Sequence, residues 1–386
     1  MIPYGRQDIN QDDIDAVTEI LKSDFLTQGP TIIKFEKAVA DYCSAKYAIA
    51  VNSATSALHI ACMALDLGPG DWLWTSPNTF VATSNAALYC NANVDFVDID
   101  PNTYNISIDA LKDKLEFAKR NNSLPKVVAP VHFSGQSAEM EAIFKLGQEY
   151  GFKIIEDASH AIGASYKNQK VGSCKYSHIT VFSFHPVKII TTGEGGMLTT
   201  NDPLLFDRLQ RHRSHGITSN TIQMSARPAD EIWNYQQIML GYNYRITEIQ
   251  AALGLSQINR LDEFVYLRHQ IAKRYDKELT GLPIQLPHQH LDTYSSYHLY
   301  VIRIKSRVAT KTQKEVHDAL VNGGVNVNLH YIPVYRQPYY ENLGFKAGYC
   351  PESELYHKEA LSIPMYPTLT YEEQGKVINI LQNCLS

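Results

Sequence analysis

No excess of positive charge exists in this sequence: 35 lysines and arginines stand against 40 aspartates and glutamates, a formal net charge of -5 at pH 7. That excludes a nucleic-acid binder relying on a broad basic field, although a small phosphate ligand held by local backbone groups stays compatible with it. The six cysteines (Cys43, Cys62, Cys90, Cys174, Cys350, Cys384) are scattered without C-x-x-C spacing. A disulfide framework and a zinc site are therefore not expected, and reduced thiols are. There is no run of eighteen apolar residues, so no membrane helix is expected. The opening stretch, MIPYGRQDINQDD, lacks both a basic n-region and an apolar h-region. No secretory signal is read there, and a cytoplasmic location is expected.

What is present supports a folded enzyme-sized chain. Hydrophobic residues make up 44% of the 386, enough for a sizeable core, while 19% charged residues are too few for a disordered chain. From residue 30 to about 215, short apolar runs alternate with amphipathic stretches. YAIAV (Tyr47–Val51), DWLWTSP, VDFVDID, KVVAPVHF, FKIIEDA, ITVFSFH and GGMLTTN read as strands. PTIIKFEKAVADYC, SIDALKDKLEFAKRNN and AEMEAIFKLGQEYG read as helices, the first with Pro30 near its start. Continuous apolar strands separated by helices predict a mostly parallel sheet covered on both faces, with ligands gathered at the carboxyl ends of its strands. A polar, irregular stretch, HGITSNTIQMSARPADEIWN, follows. One long helical pattern then runs from Thr247 to about Leu279. SSYHLYVIRI, a helix near TKTQKEVHDALVNGG, and VNVNLHY alternate on a smaller scale. The expected division is a large α/β unit over 1–250 and a smaller α+β unit over 251–386.

Four stretches at strand ends carry residue types that one cofactor needs. NSATSALH follows the strand Tyr47–Val51 and opens a helix, leaving first-turn backbone N–H groups free for a phosphate. EDASHAIG places Asp157 at the end of a buried strand, where a carboxylate is costly unless paired; a pyridinium N–H would pair it. His160, three residues on, has two candidate partners, Asp157 and a ring hydroxyl. SFHPVKIITTGEGG places Lys188 among apolar neighbours beside a glycine-rich turn. Burial lowers a lysine's pKa and leaves a nucleophilic amine able to form a Schiff base. Ser183 could reach a phosphate from the same wall. GYNYRITE offers Asn243 and Arg245 as phosphate ligands, and Phe80 in TSPNTFVATSN offers a flat face for a pyridine ring. An N-capping serine, a second helix cap, a snorkelling lysine and a solvated turn would each account for one stretch alone. Together, in this order, they match pyridoxal 5'-phosphate.

At these residues the sequence resembles the DegT-type nucleotide-sugar aminotransferases, a branch of the fold-type I enzymes, over essentially the whole chain. The resemblance implies a three-layer α/β/α fold of the aspartate aminotransferase type with a smaller C-terminal α+β domain. It implies Lys188 as the Schiff-base lysine, Asp157 on the pyridine nitrogen, and His160 near the ring hydroxyl. Ala54, Thr55 and Ser183 would take the phosphate, and Asn243 would reach it from a neighbouring subunit, hence a homodimer with shared sites. Phe80 stands where some relatives carry tryptophan. IPYGRQDI, SDFLTQGP and LHYIPVYRQPYY resemble the pseudaminic-acid branch, which aminates C4 of a UDP-linked 4-keto-6-deoxy-N-acetyl-hexosamine. That implies sugar-nucleotide contacts at Tyr4, at Asp24, Phe25, Leu26 and Thr27, and at His330, Tyr331, Ile332 and Pro333, with Ala54, Ser183 and Asn243 also near the substrate. L-Glutamate is the expected amino donor. Related 4-keto or 3-keto nucleotide-sugar aminotransferases are the nearest alternative. A sugar dehydratase of this fold would carry histidine at position 188, and a dinucleotide-binding dehydrogenase would carry G-x-G-x-x-G where NSATSA stands. A non-catalytic relative would be expected to lose Lys188 or Asp157, and both are present.

Overall fold

The computed structural model describes residues 1–226 and 234–385. All the apolar stretches expected as strands join one seven-stranded sheet: β1 (Tyr47–Val51), β2 (Trp72–Thr75), β3 (Asn93–Phe96), β4 (Val127–Ala129), β5 (Lys153–Asp157), β6 (Ile179–Ser183) and β7 (Gly196–Thr200). Their spatial order is β1-β7-β6-β5-β4-β2-β3. β6, β5, β4, β2 and β3 pair in parallel, and β7 runs antiparallel between β1 and β6.

Alternate residues of each strand feed opposite cores, as the two-residue side-chain period requires. The first helix, α1, is Gln11–Lys22. Ile49, Val51, Leu73, Val127, Ala129, Ile155, Val181 and Leu198 face one core with α3 (Ala54–Ala64) and α4 (Val81–Tyr89). Ala48, Ala50, Phe182 and Met197 face the other way, against α2 (Pro30–Cys43). Trp74, Val128 and Ile154 do the same against α5 (Ile108–Arg120) and α6 (Met140–Tyr150). Burial on both faces explains why these strands read as unbroken apolar runs.

The helical pattern expected from Thr247 to Leu279 is broken in two. Helix Glu248–Ile258 ends, and helix Leu261–Leu279 begins, around Asn259 and Arg260, whose N–H groups bond three residues back to Ser256 and Gln257. The break has a tertiary cause: the Arg260 guanidinium turns to the buried Asp13 at 2.6 Å and to Asp8 at 3.4 Å, both from the chain's first residues. After it, Ile284–Gln285, Tyr300–Ile304 and Ala360–Ile363 form a second, antiparallel sheet. VNVNLHY adds only isolated bridges, Val325 to Ile2 and Asn328 to Ser362. Ile2 packs into this second core, so the first residues of the chain join its C-terminal part. In the polar stretch, Ile217–Thr218 pairs with Gln236–Gln237, while residues 227–233 lie outside the described ones. Among the described residues no helix is long and apolar enough to cross a membrane.

Candidate active site

The carboxyl ends of β5 and β6, the first turn of α3 and the segment 328–331 enclose a cavity of about 640 Å³. Of the residues singled out from the sequence, Tyr4, Ala54, Thr55, Phe80, Asp157, His160, Ser183, Lys188, His330 and Tyr331 line it. Asp24, Phe25, Leu26, Thr27, Asn243, Arg245, Ile332 and Pro333 do not. Asp24 to Thr27 form an exposed connection whose Leu26 carbonyl accepts the Glu248 N–H. Asn243 is exposed and its backbone bridges to Ser214, outside this chain's own cavity lining. Ile332 is exposed and Pro333 is buried ahead of a short turn at Val334–Arg336.

Lys188 sits in the turn after β6, its N–H bonded to the His185 carbonyl at 2.9 Å. Ile189 and Ile190 are buried behind it and anchor the turn in the apolar core. The Phe184 carbonyl receives the Thr192 N–H and the Thr191 hydroxyl, which closes the loop on itself. The Lys188 amine makes no hydrogen bond or ion pair among the described residues. Burial holds it down to about 8, with the nearby Asp157 charge pulling weakly the other way.

Asp157 is buried, and its carboxylate accepts the Thr83 hydroxyl at 2.5 Å, the Ser159 hydroxyl at 2.5 Å and the Ser159 N–H at 3.1 Å. Thr79 extends this chain through the Thr83 hydroxyl at 2.8 Å. These donors satisfy a buried anion on its protein side. His160 bonds the Tyr331 hydroxyl through Nε2 at 3.2 Å, so the alternative contact with Asp157 is not made. A second ring, His298, lies 4.4 Å from His160. Burial, reinforced by the nearby Lys188, depresses His160, His298 and His330, keeping all three imidazoles neutral at pH 7.

Sequence reasoning missed Thr83, Ser159, His298 and Asn328, all lining the cavity. Thr79 and Thr83 left a signal, their four-residue spacing at a helix start, and Ser159 left one in its place two residues after Asp157. His298 and Asn328 left none, since they reach the cavity from the C-terminal part of the chain.

The model of the DegT/DnrJ/EryC1/StrS aminotransferase family matches residues 7–382. The chain belongs to that family. It is 37% identical to the spore coat polysaccharide biosynthesis protein SpsC of Bacillus subtilis, over 99% of this chain and 96% of that protein. It is also 37% identical to the UDP-4-amino-4,6-dideoxy-N-acetyl-beta-L-altrosamine transaminase of Campylobacter jejuni, over 100% of this chain and 98% of that protein. Helicobacter pylori PseC, an aminotransferase involved in the biosynthesis of pseudoaminic acid, superposes with a TM-score of 0.90 at 31% identity, covering 99% of this chain and 98% of PseC. The sugar aminotransferase Spr1654 of Streptococcus pneumoniae superposes in its PMP form with a TM-score of 0.89 at 26% identity, covering 100% of this chain and 99% of that one.

This DegT-family chain is thus an aminotransferase of the three-layer fold, and the family's cofactor is pyridoxal 5'-phosphate. The cavity fits that group. N–H groups of Ala54 and Thr55 belong to a first helical turn that has no intrahelical acceptor for them. Gly196 on β7 is what lets this turn sit so close to the sheet: a Cβ there would lie 2.7 Å from the Ala54 nitrogen and the Ser53 carbonyl. Gly196→Ala is therefore expected to push the turn outward, destabilising the protein by about 1–3 kcal/mol. Denaturant unfolding and a cofactor titration followed by fluorescence check this, with weakened binding the expected companion result.

Proposed function

We propose that this aminotransferase moves an amino group from L-glutamate to C4 of a UDP-linked 4-keto-6-deoxy-N-acetyl-hexosamine, the reaction of the pseudaminic-acid branch. One observation carries the chemistry: a half-buried lysine with a desolvated amine and a hydrogen-bonded buried aspartate share one cavity with a free helix N-terminus. Pyridoxal phosphate, when bound, supplies an aldehyde for the amine and a ring that withdraws electrons from the reacting carbon.

On this reading Lys188 anchors the cofactor aldehyde. Released from it, the amine takes the proton from Cα of glutamate and in the second half-reaction delivers a proton at C4 of the sugar. Its lowered pKa suits both tasks. Asp157 keeps the ring nitrogen protonated, with Thr83 and Ser159 fixing its carboxylate. Ala54, Thr55 and Ser183 would take the phosphate, Phe80 would offer its flat face to the ring, and the neutral His160 would be the partner for the ring hydroxyl. Tyr4, His330 and Tyr331 line the part of the cavity left for the sugar nucleotide. Asn243, exposed and away from its own cavity, is assigned to the site of a second copy in a homodimer, and Asp24 to Thr27, Ile332 and Pro333 to the outer nucleotide contacts. The cofactor unit is assigned to 1–250, with its first residues crossing to the core of the smaller unit, 251–386.

For the sugar, the 37% identity to the altrosamine transaminase and the fit to PseC support this branch. Purified protein with glutamate and a panel of UDP- and dTDP-linked 4-keto and 3-keto sugars tests the assignment. Amination of the UDP-linked 4-keto-6-deoxy-N-acetyl sugar at least about 100-fold faster, in kcat/KM, than of the others is expected. Activity confined to a 3-keto or dTDP sugar would overturn the substrate and leave the chemistry standing.

A further inference from the structure

His298 and the three residues before it, SSY, reach the cavity from the C-terminal part of the chain and have no task in the transamination proposed above. The His298 ring makes no hydrogen bond among the described residues, and its Nδ1 is buried without a partner, as is Nδ1 of His160. Packing holds the ring instead. It is 4% exposed, and its centroid lies 4.4 Å from that of His160 with the planes tilted by 42°. The other neighbours of His160 are Phe133 at 6.0 Å and Tyr331, whose hydroxyl meets Nε2 at 3.2 Å. The backbone makes the same connection, since the Ser296 hydroxyl donates to the His160 carbonyl at 2.8 Å.

The stretch is fixed there from several sides. The Ser296 N–H bonds the Gly135 carbonyl at 3.0 Å, and Gly135 has no room for a side chain. At its φ of +98° a Cβ would lie 2.4 Å from the Ser296 Oγ. Tyr297 is held at φ +46°, a left-handed backbone that a bulky residue keeps only where its surroundings over-determine it. The Ser295 hydroxyl accepts the Tyr297 N–H at 3.0 Å. Arg268 donates to the Tyr297 and His298 carbonyls at 3.1 and 3.3 Å, and to the Met365 carbonyl at 2.9 Å. This arginine is 1% exposed and has no carboxylate partner among the described residues. A buried guanidinium without a counterion is costly, and here three carbonyls satisfy it.

We propose that His298 is a positioning residue: its ring sets the orientation of His160 toward the cofactor, and Arg268 sets His298. Tyr331 takes Nε2 of His160, which leaves Nδ1 for a ligand oxygen. Rotation about the Cβ–Cγ bond would carry Nδ1 off that oxygen, and the His298 ring packed against it blocks the rotation. The proposal rests on the assignment of His160 to the ring hydroxyl and not on the identity of the sugar.

Titration of the cofactor-free protein with pyridoxal 5'-phosphate gives one readout, and the absorbance maximum of the loaded protein a second. The single-turnover reaction with L-glutamate alone gives a third. His298→Ala should weaken cofactor binding by about tenfold, the value of one hydrogen bond. It should slow the glutamate step by about 10–100-fold, the effect of a group displaced by about an ångström. It should also move the absorbance maximum in the direction that His160→Ala does. His298→Phe returns a flat ring without nitrogens and should restore all three readouts to within a few-fold. His298→Asn, polar but without a ring, should not. Ser296→Ala removes only the hydroxyl that holds the His160 carbonyl, and should give a smaller loss of the same kind whether or not the ring variants fold. Wild-type affinity and absorbance in His298→Ala, beside losses in His160→Ala, would overturn the proposal. So would restoration by asparagine and not by phenylalanine. Unchanged values in both alanine variants would remove His160 from the ring hydroxyl, and this inference with it.

Discussion

Lys188→Ala is expected to lose transamination by about 10⁴-fold or more, because on the proposed mechanism it removes both the covalent anchor and the proton-transferring amine. The variant should still fold. What it lacks is an amine that protein atoms desolvate and that has no partner among the described residues, so no buried group is left unpaired by its removal. Single-turnover kinetics and borohydride trapping measure the loss: the wild-type protein with cofactor should be labelled at Lys188, and the variant not at all. The same amine has a signature in stability. Its pKa is about 8 in the folded chain against 10.5 for an ordinary lysine. Between those values the unfolded chain holds the extra proton, so this group makes stability rise with pH across that window, and its burial cost is full below it. The stability of cofactor-free wild-type protein relative to Lys188→Ala should therefore rise with pH across that window, a difference read from denaturant melts of both proteins that cancels the other titrating groups. Undiminished turnover by the variant would remove Lys188 from the mechanism.

Asp157→Asn is expected to lower kcat by about 10²–10⁴-fold while leaving KM for the sugar within a few-fold, the pattern of a group that acts on the cofactor's electronics and not on sugar binding. The structure explains why asparagine is a poor substitute. Thr83, the Ser159 hydroxyl and the Ser159 N–H all donate toward this carboxylate. An amide carries no charge to hold a proton on a ring nitrogen, and its N–H donors would force the Thr83 hydroxyl to turn from donor to acceptor. Thr83→Val, which keeps the shape and removes one donor, should give a smaller loss of the same kind. Steady-state kinetics with equilibrium dialysis of the cofactor separates the two effects. Equal kcat for Asp157→Asn and the wild type would end the assignment of Asp157 to the ring nitrogen.

Much of the site was legible because strand ends are. A period of two, with apolar residues on both phases, marks a strand buried on both faces, and the residues just past such strands are where a parallel sheet puts its ligands. Asp157, Ser183 and Lys188 follow β5 and β6, and Ala54 and Thr55 follow β1, so local order was enough to find them. Phe80 was found the same way, after β2. His160 was legible as a residue, yet its partner was not: Tyr331 comes from 171 positions further along the chain. The break at Asn259 and Arg260 escaped for a similar reason, since Arg260 is helical in pattern and turns to Asp8 and Asp13 from the start of the chain.

By itself, then, the sequence determined the sheet, the family and the presence of Asp157 and Lys188 at one cavity, because each depends on local periodicity or on residues next to a strand end. Only the tertiary structure decided that Thr83 and Ser159 hold Asp157 and that His298 lies against His160. It also decided that Asp24 to Thr27, Asn243 and Ile332 stay outside this chain's own cavity. Those outcomes rest on contacts between segments far apart in the chain, and no period or spacing records which of two distant loops will meet.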